Sequence, residues 1–310
     1  MITVATVTVT VLVPDREGVR VLENVPGVRA VHYAHDDALP AEAADAAVLI
    51  PGLGPPARYR PLLPRMSGLK LIQLLSAGAD EWLDLLPDGV LLSTCRGAHG
   101  GSTAEWVVAA LLSVYRELDG FAAAQRARYW DRRATDSLQD KRILIIGAGD
   151  VGGQLQRRLE AFDTEVTMVG VTARDGVRPV GELPELLGAA DAVALMVPLT
   201  SQTRGLADAR FLAAMCDGAV LVNAARGPVV DTTALLAELE SGRLRAALDV
   251  TDPEPLPPDH PLWTAPNLLL TPHVGGSVHG LLRRAYAVAA AEIERYVSGE
   301  LPCNLVHGEY

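Results

Sequence analysis

Three polar side chains stand where strand-like segments give out, and their types suit one reaction. Arg226 follows the apolar run 219–222, Glu254 follows the run 245–250, and His273 follows the run 268–270. A ketone that accepts a hydride builds negative charge on its oxygen. An imidazole ionises near neutral pH and can deliver the compensating proton. A carboxylate beside an imidazole favours its protonated form, which keeps the donor loaded in the reductive direction. A guanidinium fork matches a carboxylate with an adjacent carbonyl. Taken singly, each residue has an ordinary reading: Arg226 as a surface charge, Glu254 as a solvated acid among prolines, His273 as a structural residue before Val-Gly-Gly. Taken together, at the C-terminal ends of three strands, they describe a site, because ligands of open α/β sheets bind at that edge.

Such a reaction needs a hydride carrier, and the sequence holds a motif for one. The run Ile143-Leu144-Ile145-Ile146 reads as a strand buried on both faces. It leads into Gly147-Ala148-Gly149-Asp150-Val151-Gly152, and Val151, Leu155, Leu159 and Phe162 then give a helical face. Gly147 permits the tight turn, Gly149 lets backbone approach a pyrophosphate, and Gly152 lets helix and strand pack closely. The helix N-terminus offers free N–H groups to phosphate. Asp150 is expected to point to solvent or to cap the helix start, where an acid suits the dipole. An NAD site places an acid at the end of the second strand. Gly170 stands there instead, followed by Thr172 and Arg174, a hydroxyl and a guanidinium suited to a 2′-phosphate. The expectation is NADP(H). NAD(H) is the alternative, in which Arg174 is a solvated charge and Asp175 takes the ribose.

The elements that must position these residues alternate between strand-like and helix-like, the mark of β-α units and a parallel sheet. Segments 3–13, 28–33, 46–50 and 69–75 read as strands of a first unit. A helix is expected from Ser102, with Ser102 and Glu105 at capping-box spacing and Val107, Ala110, Leu111, Val114 and Leu118 on one face. Residues 120–140 read as a polar loop around Trp130. A more regular unit runs from Arg142 to residue 273. A last helix is expected over 277–298, with Leu282, Ala285, Ala289, Ile293 and Tyr296 on one side and Gly299 as its stop.

Composition bounds the class. The 310 residues are 49% hydrophobic but only 5% aromatic, which points to an aliphatic core of the kind found in helix-covered parallel sheets. A net charge of −11 argues against nucleic-acid or membrane partners held by bulk electrostatics. No apolar run reaches the ~18 residues of a membrane span, and the Val/Thr-rich start lacks the pattern of a signal peptide. Cys95, Cys216 and Cys303 are far apart, so neither a disulfide framework nor a metal site is indicated, and a cytoplasmic protein is expected. Trp82, Trp106, Trp130 and Trp263 read as packing residues. Among the other histidines, only His99 lies near the expected site.

Across most of its length the sequence resembles the D-isomer-specific 2-hydroxyacid dehydrogenase family. The motifs are Ser76-Ala77-Gly78-Ala79-Asp80, Thr103-Ala104-Glu105, the glycine loop, Val197-Pro198-Leu199-Thr200, the Arg226 segment, Asp249 to Pro257, His260-Pro261-Leu262-Trp263 and Thr271 to Gly275. The resemblance implies an α/β fold of two Rossmann-like, flavodoxin-like domains with parallel sheets. A substrate domain (1–98 plus 277–310) would be interrupted by an inserted dinucleotide domain (99–276). It also implies roles. Arg226 would bind the substrate carboxylate and polarise the keto oxygen, with His273 as general acid–base and Glu254 as its partner. Asp249 would receive the nicotinamide carboxamide. Backbone groups of Ser76, Ala77 and Gly78 would clamp the substrate carboxylate. Val197, Pro198, Ala224, Ala225 and Gly275 would line the cofactor.

The implied activity is that of an NAD(P)-dependent oxidoreductase acting on a small anionic 2-oxo or D-2-hydroxy acid, such as glyoxylate or hydroxypyruvate. The implied assembly is a homodimer, through the helix near Ser102. Two departures stand out. Thr251 and Asp252 occupy positions where the family often has an aromatic residue and Glu, and Gly170 lacks the acid of NAD users. A phosphite dehydrogenase of the same fold and a non-catalytic dinucleotide-sensing protein are the alternatives. Retention of Arg226, Glu254 and His273 disfavours the second.

Overall fold

The computed structural model describes residues 8–34 and 39–309. They form two compact units, one from the residues up to His99 together with those from His279 onward, the other from Gly100–Val278.

In the first unit, β1 (Val9–Val13), β2 (Val28–His32), β3 (Val48–Leu49), β4 (Leu71–Gln73) and β5 (Leu91–Ser93) form a parallel sheet in the order β2-β1-β3-β4-β5. Expected strand residues 3–7 lie outside the described residues. Two elements were not anticipated, β5 and the short helix α1 (Arg16–Leu22). Asp15 caps that helix, its carboxylate accepting from Gly18 N at 2.8 Å. The sheet is so aliphatic because both faces are covered. Val11, Val48 and Leu71 join one buried cluster with Ala285, Ala289 and Ile293, while Leu12, Leu49 and Ile72 join the other.

The second unit begins with α2 (Gly100–Tyr115) and α3 (Leu118–Arg126). Helix α2 starts two residues before Ser102, so Ser102 and Glu105 lie inside it and form no capping box. Leu118 belongs to α3 and is 51% exposed, because the chain breaks between Tyr115 and Leu118 and the apolar stripe of α2 does not continue. The expected polar loop is thus partly helix, a surface helix with all nine residues partly or fully exposed. Trp82 is packed at 5% exposure, but Trp130 is 91% exposed and is no packing residue.

The rest of this unit runs through β6 (Arg142–Ile146), α4 (Asp150–Leu159), β7 (Glu165–Gly170), β8 (Val177–Pro179), α5 (Leu183–Leu187), β9 (Ala192–Leu195), α6 (Ala209–Ala214), β10 (Val220–Asn223), α7 (Thr232–Glu240), β11 (Arg245–Leu248) and β12 (Leu268–Leu270). Its sheet is parallel, in the order β12-β11-β10-β9-β6-β7-β8. Ile143 to Ile146 are each at most 3% exposed, as a strand covered on both faces requires. The chain then returns through α8 (Leu281–Val297) to the first unit. That helix is stopped by Gly299 at φ +82 and buries Ala285, Ala289 and Ile293. No described helix is long and apolar enough to cross a membrane.

The glycine loop ties β6 to α4 by contact between backbones. A Cβ at Gly152 would overlap the Gly147 carbonyl oxygen, whereas one at Gly153 would meet nothing within 4 Å. Gly153→Ala should therefore raise stability by about 0.5–1 kcal/mol, the usual gain inside a helix. Gly152→Ala should lower it by about 1–3 kcal/mol through overpacking. Urea unfolding of the two variants checks this; equal effects of the same sign would refute the contact.

Candidate active site

Strands β6 and β9 are neighbours although β7 and β8 lie between them in sequence. The chain leaves β6 toward one edge of the sheet and returns to its other side, which makes a topological switch point. The turns after β6 and β9 meet there: a Cβ at Gly147, at φ +116, would overlap the Met196 carbonyl. A Cβ at Gly149 would meet nothing within 4 Å, so the middle of the loop faces open space. That pattern, two glycines locked on backbone and one open, leaves room for a pyrophosphate at the start of α4, and the residues present fit a dinucleotide. Val151 is half-buried in the first turn of α4.

Asp150 departs from expectation. The N-cap is Gly149, and Asp150 makes no capping bond to its own helix. Its carboxylate lies against Gly100, the first residue of α2, and is half-buried. Helix α2 has no acid in its own first turn, and an acid placed at that end suits its dipole.

Past β7, Gly170 packs closely on Val177, with a Cβ placed 3.1 Å from its Cγ1. The chain turns back through an Arg174–Val177 bridge. Arg174 Nη2 donates to the Ala148 carbonyl of the glycine loop at 2.5 Å, so this guanidinium is held over the loop rather than loose in solvent. Thr172 is exposed beside it. Past β9, Val197 is half-buried and Pro198 exposed, and Thr203 Oγ1 donates to the Pro198 carbonyl at 2.6 Å.

Strands β10, β11 and β12 lie side by side, with Asn223, Leu248 and Leu270 in register. Their continuations therefore emerge at one level, carrying Arg226, Glu254 and His273. Asn223 is fully buried at the end of an apolar strand. Its side chain donates to the Arg226 carbonyl at 2.9 Å and accepts from Ala225 N at 3.0 Å, folding the turn that bears Ala224, Ala225 and Arg226. Gly227 is required next, because a Cβ there would overlap the Thr251 carbonyl. Thr251 Oγ1 in turn donates to the Pro253 carbonyl at 2.8 Å, so the departure at Thr251 is accommodated locally.

Asp249 is 3% exposed. Its carboxylate accepts from Thr271 Oγ1 at 2.6 Å, Val274 N at 2.8 Å and Gly275 N at 2.7 Å. Its own carbonyl accepts from His273 N at 2.7 Å. A carboxylate offers about four acceptor positions. The carboxamide role expected of Asp249 would use the one that remains. His273 adopts φ +53, a conformation uncommon outside glycine, and the bonds to Asp249 on both sides hold it there. His273 Nδ1 lies 2.7 Å from Glu254 Oε1, with the two side chains 48% and 41% exposed. Trp106, read as a packing residue, lies against Gly275, its Cγ 3.5 Å from where a Cβ would stand.

Ser76, Ala77 and Gly78 follow β4 in the first unit and are half-buried. Ser76 Oγ donates to the Gly78 carbonyl at 2.8 Å. Sequence reasoning assigned no role to Asn223, Thr271 or Gly227. An Asn ending Val-Leu-Val and a Gly directly after the Arg were the available signals. Among the described residues no group of three His, Cys, Asp or Glu could hold a metal ion.

Comparison with known proteins gives the family. Residues 108–275 match the model of the NAD binding domain of D-isomer specific 2-hydroxyacid dehydrogenases, which makes a nicotinamide dinucleotide the cofactor class of this unit. A glyoxylate reductase of Thermofilum pendens is 33% identical over 78% of this chain and 76% of its own. A D-3-phosphoglycerate dehydrogenase of Methanocaldococcus jannaschii is 31% identical over 96% of this chain, which spans 59% of that protein's length. A D-isomer specific 2-hydroxyacid dehydrogenase of Xanthobacter autotrophicus Py2, solved with NADPH and MES, superposes with a TM-score of 0.82 at 30% identity, covering 97% of this chain and all of its own. The family's domain matches over more than half of the sequence and a curated relative above 30% identity over more than three quarters, so the chain belongs to the D-isomer specific 2-hydroxyacid dehydrogenase family.

Proposed function

We propose that the chain is an NADP(H)-preferring reductase of small 2-oxo acids, glyoxylate and hydroxypyruvate among them, yielding the D-2-hydroxy acid. The observation that carries the reading is the 2.7 Å contact of His273 Nδ1 with Glu254 Oε1, on adjacent strand ends beside that of Arg226. The dinucleotide supplies the hydride when bound. Arg226 binds the substrate carboxylate and polarises the keto oxygen. A carboxylate oxygen carries no proton, so His273 Nδ1 donates to Glu254. This leaves Nε2 to face the substrate and pass its proton to the oxygen as charge develops there. The turn Ser76–Gly78 offers backbone groups to a substrate carboxylate. A homodimer, through the helix near Ser102, and a cytoplasmic location belong to the same proposal.

The NADP(H) preference is supported by Arg174, held over the glycine loop, by Thr172 beside it, and by Gly170 in place of an acid. The relative from Xanthobacter autotrophicus Py2 was solved with NADPH.

Two measurements test the reading. NADPH oxidation with glyoxylate, hydroxypyruvate and phenylpyruvate should reveal turnover with at least one, and His273→Ala should lower kcat by about 10²–10⁴; an unchanged kcat rejects the mechanism. Wild-type kcat/KM should favour NADPH, and Arg174→Ala should lower it for NADPH by about tenfold or more while sparing NADH. Preference for NADH in the wild type would overturn the cofactor assignment.

A further inference from the structure

One buried histidine takes no part in the chemistry above. His99 is 9% exposed, and its Nε2 lies 2.7 Å from the Leu75 carbonyl oxygen. A carbonyl oxygen has no proton to give, so Nε2 carries one and donates it. Leu75 directly precedes the turn Ser76–Gly78. The carbonyl of one residue and the N–H of the next belong to the same planar trans peptide and point in opposite directions. Fixing the Leu75 oxygen therefore aims the Ser76 N–H the other way.

The neighbouring peptides are held similarly. Cys95 N donates to the Ser76 carbonyl at 2.8 Å, which aims the Ala77 N–H, and Ser76 Oγ holds the Gly78 carbonyl at 2.8 Å. The Leu75 and Ser76 oxygens are thus both tied to the rest of the unit, which turns the Ser76 and Ala77 N–H groups away from those partners. The segment that carries His99 is itself anchored. Ala98 N donates to the Cys95 carbonyl at 3.1 Å, and the Ala98 carbonyl accepts from Arg284 Nε at 3.3 Å. The turn's base is fixed too: Leu74 N donates to the Ser93 carbonyl at 2.8 Å, and Gln73 Nε2 to the Thr94 carbonyl at 3.1 Å.

We propose that His99 is a positioning residue for the carboxylate-binding turn: by holding the Leu75 carbonyl it aims the Ser76 N–H at the substrate carboxylate. This rests on the reading that Ser76–Gly78 receives that carboxylate. His99 touches neither substrate nor cofactor in this role, and its loss should appear in substrate binding rather than in proton or hydride transfer.

The test uses the full chain, with NADPH saturating except where its own KM is measured, and compares His99→Leu, which removes the donor, with His99→Gln, whose carboxamide N–H can replace it. The readouts are KM for glyoxylate, Ki for oxamate as a dead-end carboxylate, kcat, and KM for NADPH. His99→Leu should raise KM for glyoxylate and Ki for oxamate by about tenfold each, with kcat within about threefold and KM for NADPH unchanged. His99→Gln should return both constants to within about threefold of wild type. Unchanged constants in His99→Leu, a fall in kcat alone, or a Gln variant no better than Leu would each overturn the proposal. Arg226→Gln in the same assay separates the two levels. If it raises KM and Ki while His99→Leu does not, the role of His99 fails while the role of Arg226 in binding the carboxylate stands. If it raises neither, the reading of the substrate site fails with it.

Discussion

The buried carboxylate of Asp249 sets the geometry on which the candidate site depends. At 3% exposure its lone pairs must find donors within the protein. Three come from the segment after β12: Thr271 Oγ1, Val274 N and Gly275 N. They can reach it only if that segment wraps around the carboxylate, and the wrapping puts His273 at φ +53 with its N–H on the Asp249 carbonyl. The unusual backbone conformation of a histidine is thus paid for by hydrogen bonds to the residue just past the neighbouring strand. The segment that begins at Asp249 leads on to Glu254, so the His273–Glu254 pair is built from this segment and the one wrapped around Asp249. On its other side β11 pairs with β10, and there Asn223 shapes the turn of Arg226.

Much of this was legible in the residues, and the reasons differ by element. The run 143–146 had to be a doubly covered strand, because a continuous aliphatic run of that length before a glycine loop has few other uses. The glycine loop was readable because each glycine answers a local demand of the turn, the approach or the packing. Asp249 was visible as a polar residue past a strand, but its partners stand 22, 25 and 26 residues later, and nothing in spacing announces such bonds. The start of α2 was misplaced for the same reason. The Ser102–Glu105 spacing is a local signal, whereas the acid that meets the helix end, Asp150, comes from the far side of β6. Periodicity also reveals strands without their order. That β12, β11 and β10 are adjacent, and so bring three polar residues to one stretch of the edge, is a property of the assembled sheet.

The net charge of −11 stands beside two anionic ligands, a dinucleotide and, in the proposed reaction, a 2-oxo acid. Bulk electrostatics would repel both, so their binding must be local. In the proposed reading, the N-terminus of α4 and the Arg174 guanidinium, tied to the glycine-loop backbone, would serve the first. Arg226 would serve the second. The Asp150 carboxylate, which would oppose a pyrophosphate if it stood free in the loop, lies instead against Gly100.

The central claim is that Glu254 acts through His273 and through nothing else. A double-mutant cycle on kcat for NADPH-dependent glyoxylate reduction tests it most directly. Glu254→Gln should slow the wild-type enzyme by about tenfold or more, yet have no further effect in the His273→Ala background, because residues that work as one unit lose their contribution together. Losses that add would contradict the claim.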